Sequence, residues 1–116
     1  AITGSYFVCT VDGNDSQLDS FKAMYEEAYH EPCDGAGQNA YFAYDAFVVI
    51  KQAVESAGST APKDIRDALE TVENAQGLTT PITIRKDHKV IRSAIIFRVG
   101  AEKFEAIDTY MVDYGD

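Results

Sequence analysis

The 116 residues carry 19 Asp and Glu against 10 Lys and Arg, a net charge of -9, with 46% hydrophobic residues and 13 aromatics among them. A chain of this size buries one modest core, so a single domain over residues 1–116 is expected, with no internal boundary. The acidic balance repels nucleic acid and anionic lipid surfaces, and no apolar run approaches the roughly 18 residues of a membrane span.

The chain opens with a strand, Gly4 to Thr10, because Tyr6-Phe7-Val8 is a β-branched and aromatic run. Asp12-Gly13-Asn14-Asp15 turns. Ser16 suits an N-cap, with Asp19 three residues on, and Leu18, Phe21, Tyr25 and Ala28 line one face of a helix ending near Tyr29. His30 to Gly37 is rich in Gly, Pro and Asp and reads as a loop. From Ala40 to Ala57 no Gly or Pro interrupts, and the first half is apolar almost all round, which predicts a buried helix. Its polar positions, Asp45, Gln52, Glu55 and Ser56, fall near one stripe that meets water or a neighbouring element. Gly58 stops it, since glycine takes the positive φ of a C′ position without cost. Pro62 then suits the first turn of another helix, whose apolar stripe is Ile65, Ala68, Leu69 and Val72. A strand over Ile82 to Arg85 and a turn at Lys86-Asp87-His88 follow. Ile91 to Val99 and Phe104 to Tyr110 flank Gly100-Ala101-Glu102-Lys103 as an antiparallel hairpin, and Asp113 to Asp116 are expected to fray. The fold class is therefore α/β, with about three helices, a strand and a C-terminal antiparallel hairpin.

Catalytic constellations are missing from this pattern. His30 and His88 stand in separate loops, neither with a nucleophile and an acid at a useful spacing. His30-Glu31-Pro32-Cys33-Asp34 offers too few ligands for structural zinc, and Asp12, Asn14 and Asp15 lack the glycine position and closing Glu of a calcium loop. Turn formation explains both. Asn14-Asp15-Ser16 matches a glycosylation acceptor, a pattern common by chance. Gly35-Ala36-Gly37 lets backbone approach a ligand at the next helix N-terminus, or is a plain flexible loop. No enzyme, metal or cofactor is expected.

Several segments together resemble a known family. Tyr44-Asp45-Ala46 before an apolar helix, Ala57-Gly58-Ser59-Thr60, Pro62, Ile65-Arg66-Asp67-Ala68-Leu69 and Gly77-Leu78-Thr79 occur in order. Gly4 to Val8, Phe21 to Tyr29 and the region Ile82 to Ile107 extend the likeness over essentially the whole chain. The pattern resembles the type I periplasmic solute-binding proteins, within them the branched-chain amino acid binding group of ABC importers. Those proteins have two α/β lobes around a ligand cleft, and this chain matches their C-terminal part, so the resemblance implies a fragment of the two-lobed fold. It places the early strand and closing hairpin in the second lobe and the helices in the first, with crossovers near Cys9 to Asn14 and near Leu78 to Arg85.

That likeness implies a periplasmic or extracellular protein with an upstream leader, a small amino-acid-like ligand, and a membrane permease as partner. The same fold also serves as an extracellular sensor, the alternative role. At the lobe junction, Asn39 and Tyr41 are the expected ligand-facing residues, with Cys9 and Thr10 at the strand end behind them. Asn amide and Tyr hydroxyl suit a carboxylate, and aromatic faces suit an ammonium or apolar side chain. Packing into the core is the competing role for Tyr41 and Tyr44, and Asp45 is expected to be a structural hydrogen-bond partner. In an exported protein Cys9 and Cys33 form a disulfide if their Cα atoms lie within about 7 Å; otherwise they are two small hydrophobes. Helices lacking most of their sheet need another cover: the missing lobe segments, or a homo-oligomer or swapped dimer. Two positions depart from the family pattern. Ala61 stands where an acidic or amide N-cap is usual, and Thr80-Pro81 replaces a Gly that makes the bend before the crossover strand.

Overall fold

The computed structural model describes residues 2–33 and 37–111; the glycine-loop reading at Gly35 and Ala36 and the expected fraying after residue 112 lie outside them. The described chain runs β1 (Tyr6–Cys9), a 3-10 turn (Ser16–Leu18), α1 (Asp19–Tyr29), α2 (Gln38–Ala57), α3 (Pro62–Leu69), β2 (Thr83–Ile84), β3 (Val90–Ile91), β4 (Ser93–Val99) and β5 (Phe104–Met111). This is the expected α/β composition, closing on an antiparallel hairpin.

Local signals explain most boundaries. Asp15, not Ser16, caps the first helical turn: its backbone is extended and its side chain accepts from the Gln17 amide at 2.9 Å. The shift arises because that turn is 3-10, which moves the first orphan donors one residue forward. Gly58 ends α2 in the left-handed region at φ 60°, its amide returning to the Val54 carbonyl. Pro62 opens α3 behind Ala61, which is extended and offers no side-chain cap. Supplying one is a direct test of that deficit: Ala61→Asp is expected to raise stability by about 1 kcal/mol in urea denaturation.

α2 departs from its expectation. Its buried residues are Tyr41, Asp45, Val49 and Ala53, one line at a spacing of four. Phe47 and Ile50 are 62% and 51% exposed, so the helix is not buried all round. Asp45 leaves the water-facing stripe altogether, at 1% exposure.

Two bodies result. The helical body holds two apolar clusters, one of Val11, Leu18, Phe21, Cys33 and Tyr41, the other of Val49, Val72, Ala75 and Ile82. The β2–β3 hairpin belongs to it: the Ile84 amide bonds the Val72 carbonyl, and Ala75 and Ile82 form an isolated antiparallel bridge. The second body is the antiparallel sheet β1-β4-β5. Its register sets Tyr6 opposite Arg98 and Cys9 opposite Ile95, and a bulge near Ile96 leaves Ile107 without an opposite residue on β4. Thr10–Asp15 makes the first connection between the bodies, as expected. The second lies at Arg92, between β3 and β4, not at Leu78–Arg85, because the hairpin's Ile82 is buried in the helical body.

Candidate functional site

Successive strand residues face opposite sides, so Phe7, Cys9, Phe97 and Phe104 share the sheet face turned toward the helices. Phe7 stacks on Phe97 with centroids 5.0 Å apart and meets Phe104 edge-on at 5.0 Å. Across from them stand the 11–14 turn, Lys22, Gln38 and Tyr41, enclosing a cleft of about 490 Å³ between the two bodies. A hydrogen bond spans it: Cys9 Sγ donates to Gln38 Oε1 at 2.8 Å, joining the end of β1 to the first turn of α2. The cleft floor is firm on the helical side. Asp12 Oδ1 accepts from the Asn14 amide at 3.0 Å, and Lys22 Nζ donates to the Gly13 carbonyl at 2.7 Å. Tyr41 is 5% exposed, its ring edge-on to Phe21 at 5.6 Å, so one residue both packs the core and borders the cleft.

The four residues singled out from the sequence separate. Cys9 and Tyr41 line this cleft. Thr10 borders an adjoining one of about 260 Å³, beside Leu78, Thr79 and Thr80. Asn39 is exposed at the start of α2 and lines neither. Gln38, Phe7, Phe97 and Phe104 were not anticipated. The period of two already places Phe7 on the face of Cys9; the other three reach the cleft only through long-range pairing. Both cysteines are free thiols, Cys33 buried in the first cluster and Cys9 partly buried against it.

Beneath the cleft a polar node ties the bodies together. Asp45 Oδ1 accepts from the Leu78 amide at 2.6 Å; Oδ2 accepts from Arg92 Nη2 at 2.9 Å and from the Thr79 hydroxyl. Arg92 also bonds Thr79 and lies over the Phe42 ring, 5.4 Å from its centroid. Thr80 Oγ1 donates to the Ser93 carbonyl at 3.1 Å. These bonds make the bend that Thr80-Pro81 leaves without a glycine. Asp45 is thus a structural partner, as its place in a buried helix suggests. Gly77 permits the approach, since a Cβ there meets Asp45 Cγ at 2.7 Å and Oδ1 closer still. Among the described residues no group of three or more His, Cys, Asp or Glu is placed to hold a metal ion, and no helix is long and apolar enough to cross a membrane.

Comparison with known proteins places this geometry in context. A family model described as periplasmic binding protein matches residues 1–103. A leucine-binding protein from Thermotoga maritima is similar at 20% identity and a TM-score of 0.69, with 94% of this chain and 31% of that one covered. A branched-chain amino acid ABC transporter periplasmic ligand-binding protein from Burkholderia xenovorans is similar at 18% identity and a TM-score of 0.76, covering 95% of this chain and 31% of that one. An ABC transporter solute-binding protein from R. palustris, in complex with benzoate, is similar at 17% identity and a TM-score of 0.65, covering 96% and 31%. The chain therefore spans under a third of the length of these solved structures. No curated protein matches it.

Proposed function

The chain belongs to the periplasmic binding protein family, whose members bind solutes outside the cytoplasm and are not enzymes, and from that premise we propose that it is part of the solute-binding component of an ABC importer. Its ligand is a small amino acid of the branched-chain type or a related polar metabolite, delivered to a membrane permease. One observation supports the reading: an aromatic cleft lies between two bodies that are linked by two connections, by the Cys9–Gln38 bond and by the node around Asp45 and Arg92. Phe7, Phe97, Phe104 and Tyr41 offer faces to an apolar side chain or an ammonium, while Gln38 and the turn amides offer donors to a carboxylate. The relatives named for leucine and branched-chain amino acids and the one holding benzoate share that ligand chemistry, a carboxylate on an apolar body.

On this reading Tyr41 and Cys9 meet the ligand from the cleft wall, Thr10 from the connection beside the adjoining cleft, and Asn39 from the exposed start of α2. The chain by itself is a fragment that does not enclose a guest. The uncovered faces of α2 and of the sheet are where the remaining lobe segments of a whole binding protein pack.

The test is thermal. A full-length protein containing this chain is expected to melt higher with one member of a panel of amino acids and aromatic carboxylates, by about 2.7 kcal/mol at a ligand concentration a hundred times Kd. The chain alone is expected to gain nothing from any of them. Indifference of the full-length protein to the whole panel defeats the ligand assignment.

A further inference from the structure

The cleft carries two charges of opposite sign that the chain itself does not pair. Lys22 and Asp12 both line it, both are partly buried, and neither takes part in an ion pair among the described residues. The same turn holds each of them in place. Lys22 Nζ donates to the Gly13 carbonyl at 2.7 Å, and Asp12 Oδ1 accepts from the Asn14 amide at 3.0 Å. An ammonium has three protons to donate and a carboxylate has two oxygens, so each group keeps capacity that no described residue uses.

A partly buried charge without a counter-ion gives up hydration and gains no partner in return. A ligand that brings both missing counter-ions relieves both sites at once. Beside them, Gln38 accepts the Cys9 thiol at Oε1 and has its Nε2 without a described partner. Phe104, 52% exposed, stands edge-on to Phe7 and gives the same space an apolar wall.

We propose that Lys22 and Asp12 select the ligand of this cleft as a zwitterion. Lys22 Nζ, with Gln38 Nε2, takes the carboxylate, Asp12 Oδ2 takes the ammonium, and Phe104 and Phe7 take the apolar side chain. The inference rests on the solute-binding role of the cleft and narrows it. An apolar acid without an ammonium meets the like charge of Asp12, and an apolar amine without a carboxylate meets that of Lys22, so each is disfavoured by one residue of its own sign.

Calorimetric titration of a full-length protein containing this chain tests the assignment with ligands that differ by one charge. Leucine is compared with isocaproate, which lacks its ammonium, and isoamylamine, which lacks its carboxylate; phenylalanine is compared with hydrocinnamate and phenethylamine. In at least one set the zwitterion is expected to bind about tenfold or more tighter than either analogue. Lys22→Met is expected to weaken that zwitterion about tenfold or more. Asp12→Asn keeps an acceptor for the Asn14 amide, and should weaken the zwitterion while leaving or improving affinity for the acid, a split that a purely structural role in the turn does not produce. The analogue series on the unaltered protein decides the result where a variant misfolds. An acid or amine bound as tightly as its zwitterion overturns the assignment and leaves the cleft a solute site, as does a zwitterion whose affinity survives either substitution in a folded variant. An unaltered protein that binds none of these compounds defeats the amino acid assignment itself, and this one with it.

Discussion

Asp45→Ala is expected to cost this chain about 3 kcal/mol of stability, the low end of what removing one partner from a buried ion pair costs. Three donors lose their acceptor at once: the Leu78 amide, the Thr79 hydroxyl and the Arg92 guanidinium. Arg92 is the costliest, because its side chain is only 21% exposed and its Nε already lacks a partner among the described residues. The low end applies because that remaining exposure lets water reach part of the guanidinium. Urea denaturation at fixed protein concentration measures the loss. For a chain of this length it corresponds to a fall in Tm of roughly 10 °C or more. Asp45→Asn keeps an acceptor for Leu78 but gives up the charge facing Arg92, so it should fall between the two. A loss under about 0.5 kcal/mol for Asp45→Ala, the scale of ordinary surface substitutions, would show that the node does not hold the bodies together.

Gly77→Ala should be nearly as damaging, for a steric reason. The added methyl meets Asp45 Cγ at 2.7 Å, well inside contact distance, and the atom it meets is not free to retreat. The Asp45 carboxylate is held by donors from Leu78, Thr79 and Arg92 and sits on a helix whose neighbouring buried positions are Tyr41 and Val49. Either the carboxylate gives up a bond or the 77–79 loop moves away, and overpacking of this kind costs about 1–3 kcal/mol. The upper part of that range is expected because both neighbours are constrained. Combining the two changes separates this account from a general intolerance of the loop. In an Asp45→Ala background the obstruction is gone, and Gly77→Ala should be close to neutral, or slightly stabilising through the lost freedom of the unfolded chain. The two losses are therefore expected to add to much less than their sum. Full additivity would place the strain of Gly77→Ala elsewhere.

Elements were legible in the residues to the extent that their causes are local. Gly58 could be named as the end of α2 because a left-handed φ is asked of one residue by its immediate neighbours, and Pro62 as the start of α3 because a missing amide matters least in a first turn. The closing hairpin was equally readable from alternation on either side of a polar turn. Periodicity misled where it was read without a partner. An all-round apolar helix implies burial only if something covers each side, and the exposure of Phe47 and Ile50 shows that the described residues cover α2 on one side and not on theirs. The same limit displaced Asp45, whose partners at Leu78 and Arg92 lie 33 and 47 residues away.

The cleft divides in the same way. Phe7 and Cys9 share a face by the period of a strand, a property of residues two apart. Phe97 and Phe104 join them through antiparallel register with β4 and β5, which depends on pairing across most of the chain. Gln38 and not Asn39 borders the cleft because adjacent helix residues point about 100° apart, and the docking of α2 chooses between them. What the order of amino acids determined by itself was the helices, their stops and the hairpin, since each rests on the conformational freedom of a few consecutive residues. Only the tertiary structure decided that Asp45 binds the second connection at Arg92 and that four aromatic rings face one space, because those contacts join segments that no local spacing relates.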